Sequence, residues 1–306
     1  MAGNMRLVAA AIAALSASAA AYVHDPHDFA VEVIAYVQGS GVPQDFISGE
    51  LFNEPNAAVG RPTLTTTGDG WYVPLNTAVP VLPIGPAFRR WEVVSIGQGG
   101  SLTLKFARPV ANNPHNPYGV DFIVFGNSMQ AIRSGPPWRN GNPEDTIVSQ
   151  LTHSEHGIVS VSQDGIAWHT FTDGPFADGF APTASYRWDS AKKAWGDELD
   201  PTRPVNPALN VEGMTVAEMI DAYDGSAGGT GFDIGLLGLD WILYVRIEDD
   251  PATAVTTEID AVAIVSGCGN QNHPYPAGDI NRDCRVDLAD VAILAGNWLV
   301  CTWRCE

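Results

Sequence analysis

Turn-forming residues occur so densely in this chain that they exclude a fold built from long helices. The sequence holds 31 glycines and 22 prolines among 306 residues, and both residue types interrupt regular secondary structure. Short runs of β-branched and aromatic residues lie between the turns; in "SLTLKF" (101–106) polar and apolar residues alternate. A period of two is typical of a strand with one buried face, so the sequence predicts many short strands.

Strand-like composition recurs in "VDFIVFGN" (120–127), "GIVSVSQDGIAWHTF" (157–171), "WILYVRIED" (241–249) and "IDAVAIV" (259–265). The second of these contains Asp164-Gly165, a dipeptide that favours the tight turn of a β-hairpin. One helix is predicted in "TVAEMIDAYD", where Thr215 can cap the N-terminus and Glu218 completes a capping box. We therefore predict a mainly β fold, an antiparallel β-sandwich or jelly roll, for residues 21–267.

A polar, proline-rich segment at residues 182–210 interrupts the strand pattern. It is too long for an ordinary hairpin connection, so we expect a decorated loop over one end of the sandwich. Its two tryptophans, Trp188 and Trp195, allow two interpretations. They can pin the loop to the core, as tryptophan side chains commonly do, or they can stack on the sugar ring of a bound carbohydrate.

Residues 1–20 have the layout of a secretory signal peptide, with one positive charge at Arg6 followed by an alanine-rich apolar run. The run is too short for a membrane anchor, so the protein is expected to be secreted or at the cell surface without membrane insertion. The chain carries 16 Lys plus Arg against 35 Asp plus Glu, a formal charge of −19. Such a surface repels nucleic acid and anionic membranes and argues against both as partners.

The acidic segment "GDINRDCRVDLADVAILAGNWL" (278–299) follows a short linker at 268–276 and belongs to a C-terminal module at 277–306. Calcium takes about six to eight oxygen ligands, and an EF-hand loop supplies them from positions 1, 3, 5, 7, 9 and 12. Numbered from Asp279, these positions predict the metal ligands, with Arg285 acting through its backbone carbonyl: Asp279, Asn281, Asp283, Arg285, Asp287 and Asp290. Apolar residues at helical spacing then predict one face of a helix: Leu288, Val291, Leu294, Ala295 and Trp298.

This segment resembles the dockerin type I repeat, whose loop-helix units also use aspartate at position 12. The variant with cysteine at position 6, here Cys284, and a terminal "NWL" is similar to repeats on many exported planctomycete-type cell-surface proteins. Dockerin modules normally pair two such repeats and dock onto a cohesin protein, whereas this sequence has a single repeat. The resemblance implies calcium as the cofactor and, as partner, a cohesin-like protein or a second copy of this chain.

All four cysteines lie near the C-terminus, at positions 268, 284, 301 and 305. An even number in an exported segment favours disulfides. The predicted helix separates Cys284 from Cys301 by roughly 16 Å, beyond the ~7 Å that the Cα atoms of a disulfide allow. Two arrangements remain open: Cys284 with Cys268 and Cys301 with Cys305, or Cys284 with Cys301 of a second, antiparallel chain.

The body of the chain resembles a group of exported bacterial proteins that carry "FNEPNAAVGRP", "DFIVFGN", "VSVSQDGIAWHTF" and "GGTGFDIG" in the same order. No activity is established for that group, so the resemblance implies fold and location alone. The "VSQDGIAW" and "YVRI" motifs are also similar to discoidin-like sugar-binding sandwiches. Four residues beside these motifs could form a second metal site or serve as turn and cap residues: Asp121, Asn127, Asp233 and Asp260.

Catalytic motifs are weak, and we predict no catalytic residue. "HSEH" places His153 and His156 around Glu155, but the HExxH spacing of zinc proteases is absent. The sequence therefore favours a secreted, non-catalytic sandwich that binds carbohydrate or cell-envelope material and is tethered by its calcium module. The alternatives are a polysaccharide-active hydrolase that uses the module as an assembly tag, and a structural envelope protein.

Overall fold

The computed structural model describes residues 22–23, 25–68, 76–134, 142–269 and 273–300. The predicted signal peptide, Cys301 and Cys305 lie outside these ranges. Within them, no helix combines the length and the apolar character that crossing a membrane would need.

Short strands make up most of the regular structure, as the density of turn residues predicts. The strands are β1 (Ala30–Val37), β2 (Thr65–Thr67), β3 (Ala78–Pro80), β4 (Val94–Ser95), β5 (Ser101–Ala111), β6 (Phe122–Gly126), β7 (Met129–Ser134), β8 (Ile147–His153), β9 (Gly157–Ser162), β10 (His169–Thr170), β11 (Tyr186–Asp189), β12 (Ala194–Glu198), β13 (Thr230–Phe232), β14 (Trp241–Asp249) and β15 (Glu258–Ile264). The α-helices are α1 (Val216–Ala222) and α2 (Leu288–Gly296). The prediction of a mainly β protein with a small helical element near its C-terminus is confirmed.

Two antiparallel sheets form the sandwich. The larger has five strands in the order β1-β5-β14-β9-β10, and the smaller has four in the order β13-β6-β15-β4. Three two-stranded ribbons, β2-β3, β7-β8 and β11-β12, lie outside these sheets. The hairpin predicted at Asp164 joins β9 to β10, and the Asp164 carboxylate accepts hydrogen bonds from the N–H groups of Ile166 and Ala167.

The first hydrophobic core lies between the two sheets. β5 contributes Leu102, Leu104 and Phe106 to it, the alternate residues of the motif from which the strand was predicted. From the other sheet, Phe122 stacks on Phe232 with ring centroids 4.9 Å apart. Burying one such side chain stabilises the fold by about 1.5–3 kcal/mol relative to leaving it exposed. This burial fixes the sheets against each other and positions the loops at their edges.

The smaller sheet is buried on its outer face as well. Its strands are continuous apolar runs, which is the pattern of a strand covered on both sides. Ile123 and Phe125 of β6 face away from the first core and belong to a second one, together with Tyr223 just after α1. α1 begins with the predicted capping box, in which the Thr215 and Glu218 side chains each accept from the other's backbone N–H.

The segment at 182–210, predicted as a decorated loop, instead contains the β11-β12 hairpin. Trp188 faces Trp195 across the two strands, with ring centroids 5.0 Å apart. The Asp189 carboxylate closes the turn by accepting hydrogen bonds from two backbone N–H groups. A cross-strand aromatic pair stabilises strand pairing by up to about 1 kcal/mol, and this contact is the physical reason for a hairpin in so polar a segment.

Candidate functional site

The loop before α2 curls around the oxygen atoms of its own acidic side chains. The Asp279 carboxylate accepts hydrogen bonds from the N–H groups of Asp283 at 3.2 Å and Cys284 at 2.8 Å. Asn281 Oδ1 accepts from Asp283 N at 3.0 Å, and Asp283 Oδ1 accepts from Arg285 N at 3.0 Å. Side chains of this type turn back onto the following backbone, so positions 1, 3 and 5 shape the loop directly.

Asp287 and Asp290, at positions 9 and 12, join the loop to the helix. Asp287 caps α2, with Oδ1 accepting from Ala289 N at 2.7 Å. Asp290 is almost fully buried, and its oxygens accept from Ile280 N at 2.6 Å and Asp287 N at 2.8 Å. These backbone hydrogen bonds, above all the one from Asp287, hold the pKa of Asp290 below its usual range. Position 12 therefore closes the loop onto its own start.

Position 6 of the loop departs from the usual glycine. Cys284 there has a φ of +70°, in the left-handed region that residues other than glycine rarely occupy. It forms a disulfide with Cys268, and the two Cα atoms lie 5.9 Å apart. Of the two arrangements left open by the sequence, the Cys268–Cys284 pairing is the one formed, so Cys284 does not pair with Cys301 of a second chain. Cys301 and Cys305 lie outside the described residues.

The donors of the loop are oxygen atoms, which are the ligands that calcium prefers. Among the described residues, Asp279 is the only carboxylate of the loop that belongs to a group of three ligand atoms within 4.8 Å, and its neighbours are Cys268 and Cys284. Both sulfur atoms are bonded to each other in the disulfide. The group therefore offers no thiolate ligand. Each oxygen of Asp279 accepts one backbone hydrogen bond and so retains a lone pair for a cation, whereas Asp290 Oδ1 accepts two, from Ile280 N and Asn281 N. The chemistry of the donor set fits calcium.

The apolar face of α2 is exposed to solvent. Leu288 is 83% exposed and Trp298 67%, and Val291, Ile293 and Leu294 are exposed as well. The predicted helix forms at Leu288–Gly296, but it ends before Trp298, and its apolar residues belong to none of the hydrophobic cores of the sandwich. Because each such side chain would gain about 1.5–3 kcal/mol by burial, this face favours contact with another surface.

The module is attached to the sandwich by the disulfide and by a histidine of the linker. His273 Nε2 lies 2.9 Å from Asp200 Oδ2, and Nδ1 contacts the carbonyl oxygen of Ser266. Burial disfavours the protonated ring, but the hydrogen bond and the charge of Asp200 outweigh burial and raise the pKa of His273. The linker is therefore held to the C-terminal loop at Cys268 and to the body at His273.

An open groove of about 720 Å³ lies beside the Trp188–Trp195 pair. Trp188 lines the groove, and its Nε1 donates to Glu144 Oε1 at 2.9 Å. Glu144 is also paired with Lys193; the hydrogen bond from Lys193, followed by that from Trp188, lowers the pKa of Glu144 to about 2. Trp195 packs against the second core. The two tryptophans are thus placed differently, since Trp195 pins the hairpin and Trp188 lines a polar surface.

The four residues predicted as a second calcium site are not brought together. Asp121 is buried and accepts hydrogen bonds from Asn113 N and Ile234 N. Asp233 caps the turn Ile234–Leu237. Asp260 is held elsewhere by Thr63, whose N and Oγ1 both donate to it. Burial raises the pKa of Asp121 to about 6 and that of Asp260 to about 8. No metal-ligand group among the described residues includes any of these three acids.

Asn127, the fourth of these residues, lines a different pocket, which contains an acidic group that the sequence did not single out. One carboxylate oxygen each of Glu155, Asp178 and Glu258 lies within 4.8 Å of the others. Burial raises the pKa of Asp178 well above its usual range, and the Glu155 charge raises it further. The three acids come from distant segments, so no spacing in the sequence predicts the group. Glu155 belongs to "HSEH", but the neighbouring His156 stacks on an aromatic ring instead.

Comparison of the chain with protein-family models, with curated proteins and with solved structures found no match.

Proposed function

We propose that this chain is an exported, non-catalytic β-sandwich that binds carbohydrate or cell-envelope material and is tethered to a partner protein by its C-terminal calcium module. The observation that carries the calcium part is the register of the loop. The side chains at positions 1, 3, 5, 9 and 12 each accept a hydrogen bond from the backbone of the loop or of the helix start. These are the positions from which an EF-hand loop supplies its side-chain oxygens to calcium.

Calcium stabilises such a loop through charge. Asp279, Asp283, Asp287 and Asp290 lie close together in the chain, and two like charges about 4 Å apart repel by roughly 1 kcal/mol even in water. A bound divalent cation converts this repulsion into coordination. Magnesium is the weaker candidate, because it demands near-octahedral geometry and gives up its water ligands reluctantly.

Calorimetric titration of the full chain with calcium tests the loop. Asp279→Ala removes the ligand at position 1 and is expected to eliminate the heat of one binding event. Arg285→Ala is the matched control, because position 7 contributes its backbone carbonyl and not its side chain. Equal binding by wild type and Asp279→Ala would contradict the assignment of calcium to this loop.

The exposed face of α2 is the proposed docking surface. Leu288, Val291 and Leu294 lie on it, Trp298 follows the end of the helix, and all four are exposed. The occupant that we propose is a separate protein with an apolar surface, of the cohesin-like kind that the resemblance implies. A second copy of this chain is disfavoured, because a formal charge of −19 on each copy opposes self-association. Sedimentation velocity in calcium is expected to give a monomer, and a calcium-dependent dimer would contradict this choice of occupant.

The groove beside Trp188 is the proposed carbohydrate surface of the sandwich. An aromatic face packs well against the apolar C–H groups of a sugar ring. Glu144, Asp189 and Asp197 line the same groove and can accept hydrogen bonds from sugar hydroxyls. Because the groove is open and polar, it suits a polysaccharide lying along it more than a small enclosed ligand.

Binding and hydrolysis are separated by screening the full chain on a glycan array and on chromogenic polysaccharides. We expect binding without release of product. Trp188→Ala is expected to weaken binding about tenfold, the effect of losing ~1.4 kcal/mol of stacking, whereas Trp241→Ala, on the larger sheet, should bind as wild type. Release of product would instead support the polysaccharide hydrolase, and no signal in either assay would support the structural envelope protein.

A further inference from the structure

We infer that Glu155, Asp178 and Glu258 form a calcium site inside the sandwich, separate from the C-terminal loop. Glu155 lies between β8 and β9, Asp178 lies between β10 and β11, and Glu258 begins β15. One carboxylate oxygen of each lies within 4.8 Å of the other two. This is the spacing expected for oxygens around one calcium ion, since each calcium–oxygen distance is about 2.3–2.6 Å.

The group is buried where charge is unfavourable. Asp178 is 1% exposed and Glu258 is 3% exposed, while Glu155 is partly exposed at the pocket. A buried carboxylate is strongly destabilised unless it is paired with a positive charge or fully hydrogen-bonded. Among the described residues, no Lys, Arg or His forms an ion pair with any of the three acids.

Asp178 also has an unpartnered oxygen. Its Oδ1 accepts from Ser128 N at 2.6 Å. Its Oδ2 is buried and has no hydrogen-bond partner among the described residues. Because Oδ1 is held by the backbone, Oδ2 is the oxygen that a bound cation would meet. Such orphaned buried atoms are rare in folded proteins and commonly indicate an ion or a water.

Two other buried acids of the sandwich are stabilised in the usual ways, one by an ion pair and the other by hydrogen bonds to both oxygens. Asp45 is paired with Arg89 at 2.7 Å, and both side chains are buried. Asp121 uses both of its oxygens, accepting from Asn113 N at 2.8 Å and Ile234 N at 3.1 Å. The three-carboxylate group has no ion pair among the described residues; Glu258 Oε1 accepts from Thr256 Oγ1 at 3.3 Å, whereas Asp178 Oδ2 has no partner. A divalent cation would supply the positive charge that this group lacks.

The backbone is adapted to bring the Asp178 carboxylate into the group. Gly126 lies so close to it that a Cβ atom at this position would overlap with Asp178 Oδ1. Glycine is therefore required here by the approach of the carboxylate. The "FGN" of the strand motif "VDFIVFGN" thus makes room for an acid that lies far away in the sequence.

The ligand types favour calcium over other metals. The group consists of carboxylates, without His or Cys, which argues against zinc. An open pocket of about 500 Å³ adjoins the group, and Asn127, Thr152 and Ser154 line it. Their side-chain oxygens and water can complete the larger, irregular coordination shell that calcium accepts and magnesium does not.

The test is a calcium titration of the full chain that carries Asp290→Ala, which removes the position-12 ligand of the C-terminal loop. We expect this variant to retain one calcium per chain and to gain roughly 5 °C in Tm at about 100 times the Kd. Adding Asp178→Asn is expected to abolish both effects. Adding Glu155→Gln, at the partly exposed residue, is expected to weaken calcium binding at least roughly tenfold by removing one ligand charge; it keeps the test informative if Asp178→Asn does not fold.

Asp121→Asn is the matched control, because it neutralises a buried acid outside the group and is expected to leave calcium binding unchanged. Absence of calcium binding by the Asp290→Ala chain would overturn the proposal without affecting the C-terminal loop, whose contribution is the difference from wild type. Binding that survives both Asp178→Asn and Glu155→Gln would overturn it as well. Tighter binding of magnesium than of calcium would overturn the choice of ion.

Discussion

The two acidic clusters of this protein differ in how far apart their residues lie in the sequence and in the hydrogen-bond partners of their carboxylates. In the C-terminal loop, the aspartates are close in sequence and accept hydrogen bonds from neighbouring backbone N–H groups, as Asp279 and Asp290 do. In the sandwich, Glu155, Asp178 and Glu258 come from distant segments, and the buried Oδ2 of Asp178 has no partner among the described residues. The loop carries its acidic pattern in its sequence, whereas the sandwich brings its three acids together only through its fold.

The contrast extends to the pKa values of the two regions. Backbone hydrogen bonds lower the pKa of Asp290, whereas burial raises that of Asp178 and Glu258. Position 12 of the loop therefore favours a charged carboxylate even before a cation binds. The sandwich disfavours the charged forms until a positive charge is supplied, so the same ion would have a larger effect on the local electrostatics there.

The largest expected effect is that of Asp290→Ala, because this residue holds both ends of the loop. The variant loses the hydrogen bonds from Ile280 N and Asp287 N and is expected to lose calcium binding at the loop completely. Limited proteolysis should then cleave within 277–300 even in calcium, while the sandwich keeps its Tm. Asp221→Ala, an exposed acid of α1, is the control. Protection of the variant's module in calcium would contradict the assigned role of position 12.

The second prediction concerns the disulfide that joins the start of the linker to the C-terminal loop. Cys268 and Cys284 are separated by 16 positions, and closing a loop of that size stabilises the folded form by about 3 kcal/mol. Cys284→Ser is expected to reduce the stability of the module by this amount and to weaken calcium binding with it. Cys268→Ser should have the same effect in calorimetry, and the double variant should lose no more. Additive losses would show that the cysteines act separately.

The third prediction uses pH to separate buried acids from those of the loop. The pKa of Asp121 is raised by burial to about 6. Its contribution to stability is therefore fully present below about pH 4 and is lost as pH rises through about 6, by at most about 3 kcal/mol. Denaturant unfolding between pH 4 and 7 in chelator should lose this slope in Asp121→Asn. An unchanged slope in the variant would contradict the raised pKa.

Asp290 is expected to show the opposite dependence. Because its pKa is lowered in the folded state, its contribution is present above its ordinary pKa of about 4 and is lost as pH falls further. Acidification below pH 4 is therefore expected to unfold the module before the sandwich. Proteolysis with a protease active in acid measures this, and simultaneous loss of both regions would contradict it.

The smallest expected effect is that of His273→Gln, which tests whether the linker is fixed to the body. The pKa of His273 is raised, so the contribution of the His273–Asp200 contact is fully present below about pH 6.5 and declines as pH rises through the raised pKa. We expect a loss of about 1 kcal/mol or less. Protection of linker amides at pH 5.5 and 8.5 measures it, and a variant that matches wild type at both values would contradict the role of His273.

The parts of the fold that were predictable have local causes. Alternation in "SLTLKF" predicted β5, Asp164-Gly165 predicted a hairpin, and Thr215 with Glu218 predicted the start of α1. The register of the C-terminal loop was predictable for the same reason, since each of its turns uses oxygens a few residues away. The β11-β12 hairpin was missed, because its pairing depends on Trp188 and Trp195 meeting across a polar turn.

The acidic group of the sandwich could not have been predicted from spacing. Glu155, Asp178 and Glu258 come together only when β8, β9 and β15 are assembled in the fold. Sequence patterns report local structure and do not indicate such long-range contacts. Two weak signals existed, Glu155 within "HSEH" and Gly126 within "VDFIVFGN", and neither is interpretable alone. Of the four residues that the sequence offers for a second metal site or for turn and cap duty, Asp121, Asp233 and Asp260 each accept local hydrogen bonds, and Asn127 lines the pocket beside the acidic group.

Hydrogen exchange of the full chain, compared in calcium and in chelator, tests most directly whether a cation gives the C-terminal loop its shape. The account predicts that the amides of Asp283, Cys284 and Arg285 and those of α2 exchange at least about tenfold more slowly in calcium, and that Asp279→Ala loses this protection while its β5 and β14 exchange as in wild type at the same calcium concentration. Equal protection of the loop with and without calcium would contradict the claim, because the loop would then hold its shape without the ion.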